Sequence, residues 1–253
     1  MSMNLPKPIN YSIHEILIPS IGKKFRFRPF LVKEYKALTI AEGSKDPREM
    51  LNTLKGIIQS TCLEKTPIDV DNLATFDFEY ILIKLRSISV GSNVQLSIKC
   101  QHPEAHEGMD ADSLQCDVML DLNNIEVVGL KDYKTKIKLS DDCVVIMKKP
   151  TVELVDQLAR VEQEGDDYEF IVERLAKQID KIATGEEVFE VADNPEFNID
   201  EVRDWIDNLT EEQYSKLNDY FKTIPYCRIK IEWTCPVCGN SNTIYIQGLD
   251  YFF

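Results

Sequence analysis

The residues best equipped for chemistry stand near the end of the sequence, in the stretch Thr234-Cys-Pro-Val-Cys-Gly239. Two thiols at this spacing can act as a redox dithiol, as half of a metal site, or as ordinary buried thiols. A redox pair sits between a strand and a helix, whose N-terminus lowers the pKa of the attacking thiol. Here Gly239-Asn-Ser-Asn242 and then Thr243-Ile-Tyr-Ile246 follow, so no helix dipole acts on either sulfur. The order strand, Cys-Pro-x-Cys-Gly, turn, strand fits a zinc knuckle instead. Its tight turn aims backbone N–H groups at the sulfurs, and glycine takes the positive φ that closes it. One knuckle supplies two ligands, whereas a tetrahedral structural site takes four.

The other two are expected from a long-looped hairpin with Cys100 and Cys116 at its ends, since cross-strand partners at a hairpin base can bring two sulfurs to one ion. His102 and His106 lie in the same loop and compete for the fourth position, because imidazole nitrogen suits zinc as well as thiolate does. The expected set is Cys100, Cys116, Cys235 and Cys238 around a structural zinc, with His106 or His102 as alternatives to Cys116. The competing reading is a degenerate knuckle with all seven thiols buried or free. A filled four-ligand site leaves no open position for water, so its role is structural. No catalytic residue is expected. His14 reads as solvated, no Ser or Cys stands near a His in a recognisable setting, and Gly22-Lys23 has no glycine upstream to form a phosphate loop. Asp77 with Glu79, and Glu164 to Asp167, sit where helices start, where capping and the helix dipole already explain carboxylates.

These residues need elements to position them. Residues 1–22 read as an extended, proline-bearing arm. Lys24-Phe-Arg-Phe-Arg28 alternates with period two, a half-buried strand with its charges on the wet face. Helical spacing follows over 31–41, 47–63 and 72–89, with Asp46 before Pro47 as an N-cap and Asp69 or Asp71 as caps of the third helix. From Val94 the period changes to two and runs to Cys100, then returns through Leu114, Cys116, Val118, Leu120 and Leu122. Further strands are expected over 134–139 and 143–148. Residues 151–223 read as helical, with Ile179 on a helix face, a solvated acidic connector over 186–204, and Asp166, Asn198 and Thr210 as caps. Strand character resumes from Cys227 to Trp233 and again after the knuckle.

The fold class expected is α+β, with an N-terminal helical segment, a central zinc-ribbon-like antiparallel β module and a helical insertion before the C-terminal knuckle. The divisions expected are an arm at 1–22, a strand with helices at 23–90, a zinc-stabilised β module from 91–150 with 226–253, and the insertion at 151–225.

The chain has 29 basic and 43 acidic residues, a formal net charge of −14, which repels phosphate backbones over most of the surface. Its seven cysteines in 253 residues fit a reducing compartment better than a disulfide framework. The start lacks a signal-peptide layout and no apolar run spans a bilayer, so a soluble cytosolic protein is expected.

The ending from the Cys-Pro-x-Cys-Gly strand to Gly248-Leu-Asp-Tyr-Phe-Phe253 resembles the baseplate proteins of T-even-type contractile-tailed phages. So do Phe25-Arg-Phe-Arg-Pro-Phe-Leu-Val-Lys-Glu34 with the helix after it, and a strand ending at Cys100 followed by a Val-Met-Leu-Asp-Leu return. The resemblance implies a non-enzymatic protein of the baseplate hub or of its assembly. It would be made in the bacterial cytoplasm, work in the virion tail or during assembly, and act through contacts with other hub or tail proteins. It implies no nucleic acid, membrane or small-molecule partner. Family members commonly pair two knuckles, and this sequence offers Cys100-Gln-His-Pro-Glu-Ala-His106 where the second would stand.

The alternative is a zinc-ribbon regulator contacting nucleic acid or the transcription machinery. Lys134, Lys136, Lys138, Lys148 and Lys149 could form a basic patch for it, but Glu104, Glu107, Asp110, Asp112 and Asp117 frame the expected metal.

Overall fold

The computed structural model describes residues 11–110, 114–161, 167–191 and 198–249, with the backbone alone at 157–161 and 167–170. Residues 1–10 of the expected arm, Asp112, Glu164 to Asp166 and residues 250–253 lie outside the described residues. The architecture is mixed helix and small antiparallel sheets, as expected. The chain divides into two compact units. One comprises Met1–Val70, Glu79–Glu126 and Cys227–Phe253, and the other Asp71–Phe78 and Val127–Tyr226.

In the first unit, β1 (His14–Ile18) pairs antiparallel with β2 (Lys23–Phe27), Ile16 opposite Phe25. Alternation buries Ile16, Ile18 and Phe27 and leaves Lys24 in water against Glu15 at 3.1 Å. Then come α1 (Val32–Ser44) and α2 (Pro47–Thr61). Asp46 caps α2 as expected, its carboxylate accepting the Arg48 N–H at 2.9 Å with Pro47 in the first turn. The next helix, α3 (Thr75–Val90), begins beyond Asp69 and Asp71. The chain before it belongs to the second unit: the Asp71 and Leu73 carbonyls accept the Glu153 and Val152 N–H groups, and the Thr75 N–H donates to the Pro150 carbonyl. Further along α3, Ile81, Leu82 and Leu85 are fully enclosed.

Arg28 departs from the wet-face expectation. β2 ends at Phe27 and Pro29 turns the chain, so the strand's parity no longer applies one residue on. Arg28 is buried instead, donating to Glu34 at 2.8 Å, to the Ser60 carbonyl at 2.9 Å and to the Pro29 carbonyl at 3.0 Å. Glu34 also accepts the Leu31 N–H at 2.8 Å. Burial by itself would raise the Glu34 pKa, but these donors and the Arg28 charge hold it at about 2.

Two hairpins complete this unit. β3 (Asn93–Lys99) pairs with β4 (Gln115–Asp121), placing Leu96 opposite Val118 and Ile98 opposite Cys116. The short strand β5 (Glu126–Val128) marks the passage into the second unit. The second hairpin comes from the chain's other end, where β10 (Tyr226–Thr234) pairs with β11 (Ser241–Gln247), Ile231 opposite Ile244 and Trp233 opposite Asn242.

The second unit is built on a sheet of β6 (Lys136–Lys138), β7 (Cys143–Met147), β8 (Ile179–Thr184) and β9 (Glu187–Glu190), antiparallel in that order. Its helices are α4 (Val152–Val161), α5 (Asp167–Gln178), α6 (Ile199–Asp207) and α7 (Glu211–Thr223). Asn198 caps α6, and Thr210 forms a capping box with Gln213 on α7, both as expected. Val145, Leu175, Ile179 and Leu217 sit fully enclosed in one apolar cluster. Ile179 does not continue the helix before it but opens β8, and part of the acidic connector is strand β9. The β-branched Ile179, Ile182 and Thr184 suit a pleated surface, and Gly185, at φ 58°, turns the hairpin where another residue would be strained.

Candidate metal centre

Cys235 follows directly on β10, and a tight turn forms there. The Cys235 N–H donates to the Asn240 carbonyl and the Gly239 N–H to the Cys235 carbonyl, each at 2.9 Å. Gly239 supplies the positive φ of 73° that this closure needs. The N–H groups of Cys238 and Val237 point at the Cys235 sulfur and, against the opposing effect of burial, bring its pKa down to about 6. The turn is therefore built to hold a thiolate, the form that binds metal.

The β3–β4 hairpin brings the remaining donors. The Cys100 N–H continues the strand ladder to the Leu114 carbonyl at 2.7 Å. A single 3-10 turn, Pro103–His106, then folds the loop back and buries the His106 ring. Cys100 Sγ comes to 3.7 Å from Cys238 Sγ, and His106 Nε2 to 3.6 Å from Cys235 Sγ. The ligand atoms of Cys100, His106, Cys235 and Cys238 all lie within 4.8 Å of one another. Zinc–sulfur and zinc–nitrogen bonds of ordinary length imply tetrahedral edges of about 3.7 Å between sulfurs and about 3.5 Å from sulfur to nitrogen. The donors present fit such an ion in type and in spacing.

Of the four cysteines expected, Cys100, Cys235 and Cys238 fall in this group. Cys116 lies beside it, buried, with Sγ 3.7 Å from Cys235 Sγ. Burial raises the Cys116 pKa; the Trp233 indole N–H works the other way, although it is buried without a hydrogen bond of full geometry. His102 stands outside the group, half-exposed, with Nε2 3.2 Å from the Ser241 carbonyl and Nδ1 3.4 Å from Glu104. Among the described residues no disulfide forms.

A second tie went unread in the sequence. Asn242 is buried and its Oδ1 accepts the Gln101 N–H at 2.7 Å, while the Thr243 N–H donates to Gln101 Oε1 at 3.1 Å. The only hint was an asparagine at an inward position of a strand otherwise rich in β-branched and aromatic residues.

Glu104, Glu107, Asp110 and Asp117 are exposed, whereas the lysines of the expected basic patch belong to the second unit. Asp77 and Glu79 both lie in the first turns of α3 as expected, and burial pushes the Glu79 carboxyl up to about 7 against the Cys227 N–H. No described helix is long and apolar enough to cross a membrane.

A family model for the T4 bacteriophage base plate protein matches residues 10–253. The chain belongs to the T4 bacteriophage base plate protein family. Neither a curated protein nor a solved structure matches it. Membership makes this a phage baseplate protein and implies a structural role among other baseplate and tail proteins of the virion tail.

Proposed function

We propose that this base plate protein is a non-enzymatic component of the hub, or a factor in hub assembly, in which a structural zinc ties the two hairpins of the first unit. The ligands are Cys100, Cys235 and Cys238, with His106 completing the set. The observation that carries this reading is the closed donor group, drawn from hairpins far apart in sequence and buried at three of its four members. Four protein ligands leave no position for a substrate or a water, so the ion's contribution is to folding. The rest of the reading rests on the family and on charge. An acidic protein whose expected metal loop is edged by exposed Glu104, Glu107 and Asp110 is suited to protein contacts, not to phosphate. Work in the host cytoplasm during assembly belongs to the same reading.

Tagged protein purified from infected cells is expected to bring other baseplate or tail proteins with it. Recovery of RNA polymerase or DNA without any tail protein overturns the reading in favour of a zinc-ribbon regulator.

A further inference from the structure

We propose that Cys116 is a reserve ligand of the same site, so that five donors serve four positions and His106 and Cys116 exchange at the fourth. This rests on the zinc reading above. Cys235 Sγ has two neighbours at tetrahedral-edge distance: His106 Nε2 at 3.6 Å and Cys116 Sγ at 3.7 Å. They arrive by different routes. Cys116 is fixed in β4 by the strand ladder, opposite Ile98, and is 1% exposed. His106 hangs on the single 3-10 turn of the connecting loop.

With His106 bound, three thiolates and a neutral imidazole leave the zinc site at net −1. With Cys116 bound, four thiolates make it −2. A buried site disfavours the larger charge, so His106 is the resident ligand. On exchange Cys116 Sγ would take the place of His106 Nε2 as a thiolate, its proton leaving to water. The Pro103–His106 turn can then move without loss of the metal.

Cobalt(II) in place of zinc reads the exchange, because its thiolate charge-transfer absorption scales with the number of bound sulfurs. The His106→Ala protein is expected to keep one ion per chain with that absorption raised by about a third, three thiolates becoming four. Cys116→Ser is expected to keep the wild-type spectrum, and the double variant to bind metal on the order of 100-fold more weakly than either. The proposal is overturned if His106→Ala binds no ion or shows no added thiolate absorption, or if Cys116→Ser alone lowers that absorption. His106→Asn serves where the alanine variant does not fold, with retained protection of the second unit's core amides as the check. A wild-type protein that takes up neither zinc nor cobalt removes the underlying zinc reading, and this proposal with it.

Discussion

The sheet-and-helix core of the second unit and the paired hairpins of the first are held by different means. Around β7 and β8, Val145, Leu175, Ile179 and Leu217 are wholly enclosed by other apolar side chains. Burying each such side chain contributes about 1.5–3 kcal/mol before entropy is counted. The β3–β4 and β10–β11 hairpins bury one face only, through Val118 and Leu120 on the first and Ile229 and Ile231 on the second, while Lys99, Asp117, Lys230 and Tyr245 stay in water. A two-stranded sheet such as β3–β4 is marginal by itself. What joins these two at the knuckle end is polar: the donor group and the Gln101–Asn242 bonds. Apolar area is spread over many residues and tolerates small losses, whereas a ligand set concentrates its contribution in a few side chains.

Cys235→Ser tests that contrast most severely. It is expected to abolish metal binding, which in structural zinc sites is worth on the order of 10 kcal/mol, and to strip hydrogen-exchange protection from β10, β11 and the Cys100 end of β3. Protection of β7, β8 and α5 is expected to survive; uniform loss in both units would break the comparison. Leu175→Ala is the reciprocal change. It should cost about 2–5 kcal/mol, read as lost protection in the second unit, with the metal content unaltered.

A smaller effect concerns two carboxyls of the first unit that shift in opposite directions. Glu34, held at about 2 against an ordinary 4.5, adds stability that is present above pH 4.5 and lost as pH falls toward 2. Glu79, raised to about 7, adds stability that is present below pH 4.5 and lost as pH rises through 7. Glu79→Gln should therefore flatten the fall in stability between pH 4.5 and 7 relative to wild type at equal metal content. An unchanged profile in urea titrations across that range would falsify the assignment.

Much of this was legible in the residues because it follows from local period. Alternation gave β3, β4, β10 and β11 with their faces, and Asp46-Pro47 and Thr210 marked helix starts through bonds within a few residues. The misreadings share a cause, a partner distant in sequence. Arg28 looked like a wet-face charge because nothing near it announced the Ser60 carbonyl, which encloses it together with Glu34. Asp69 and Asp71 stand too far upstream to cap α3, which begins only at Thr75 after a stretch bonded to residues 150–153. At the metal group, residue types and spacing pointed to Cys100, Cys235 and Cys238, but His106 against Cys116 turns on how a loop folds back, which spacing alone does not specify.

In the structure proposed above, a metal ion joins the two hairpins. The most direct test of that junction is metal analysis of the purified wild-type chain together with hydrogen exchange before and after treatment with a strong chelator. One zinc per chain is expected, removed together with the protection at Cys100 and through β10 and β11, while the core of the second unit stays protected. A folded protein that carries no zinc, or one whose hairpin protection is indifferent to its removal, would contradict it.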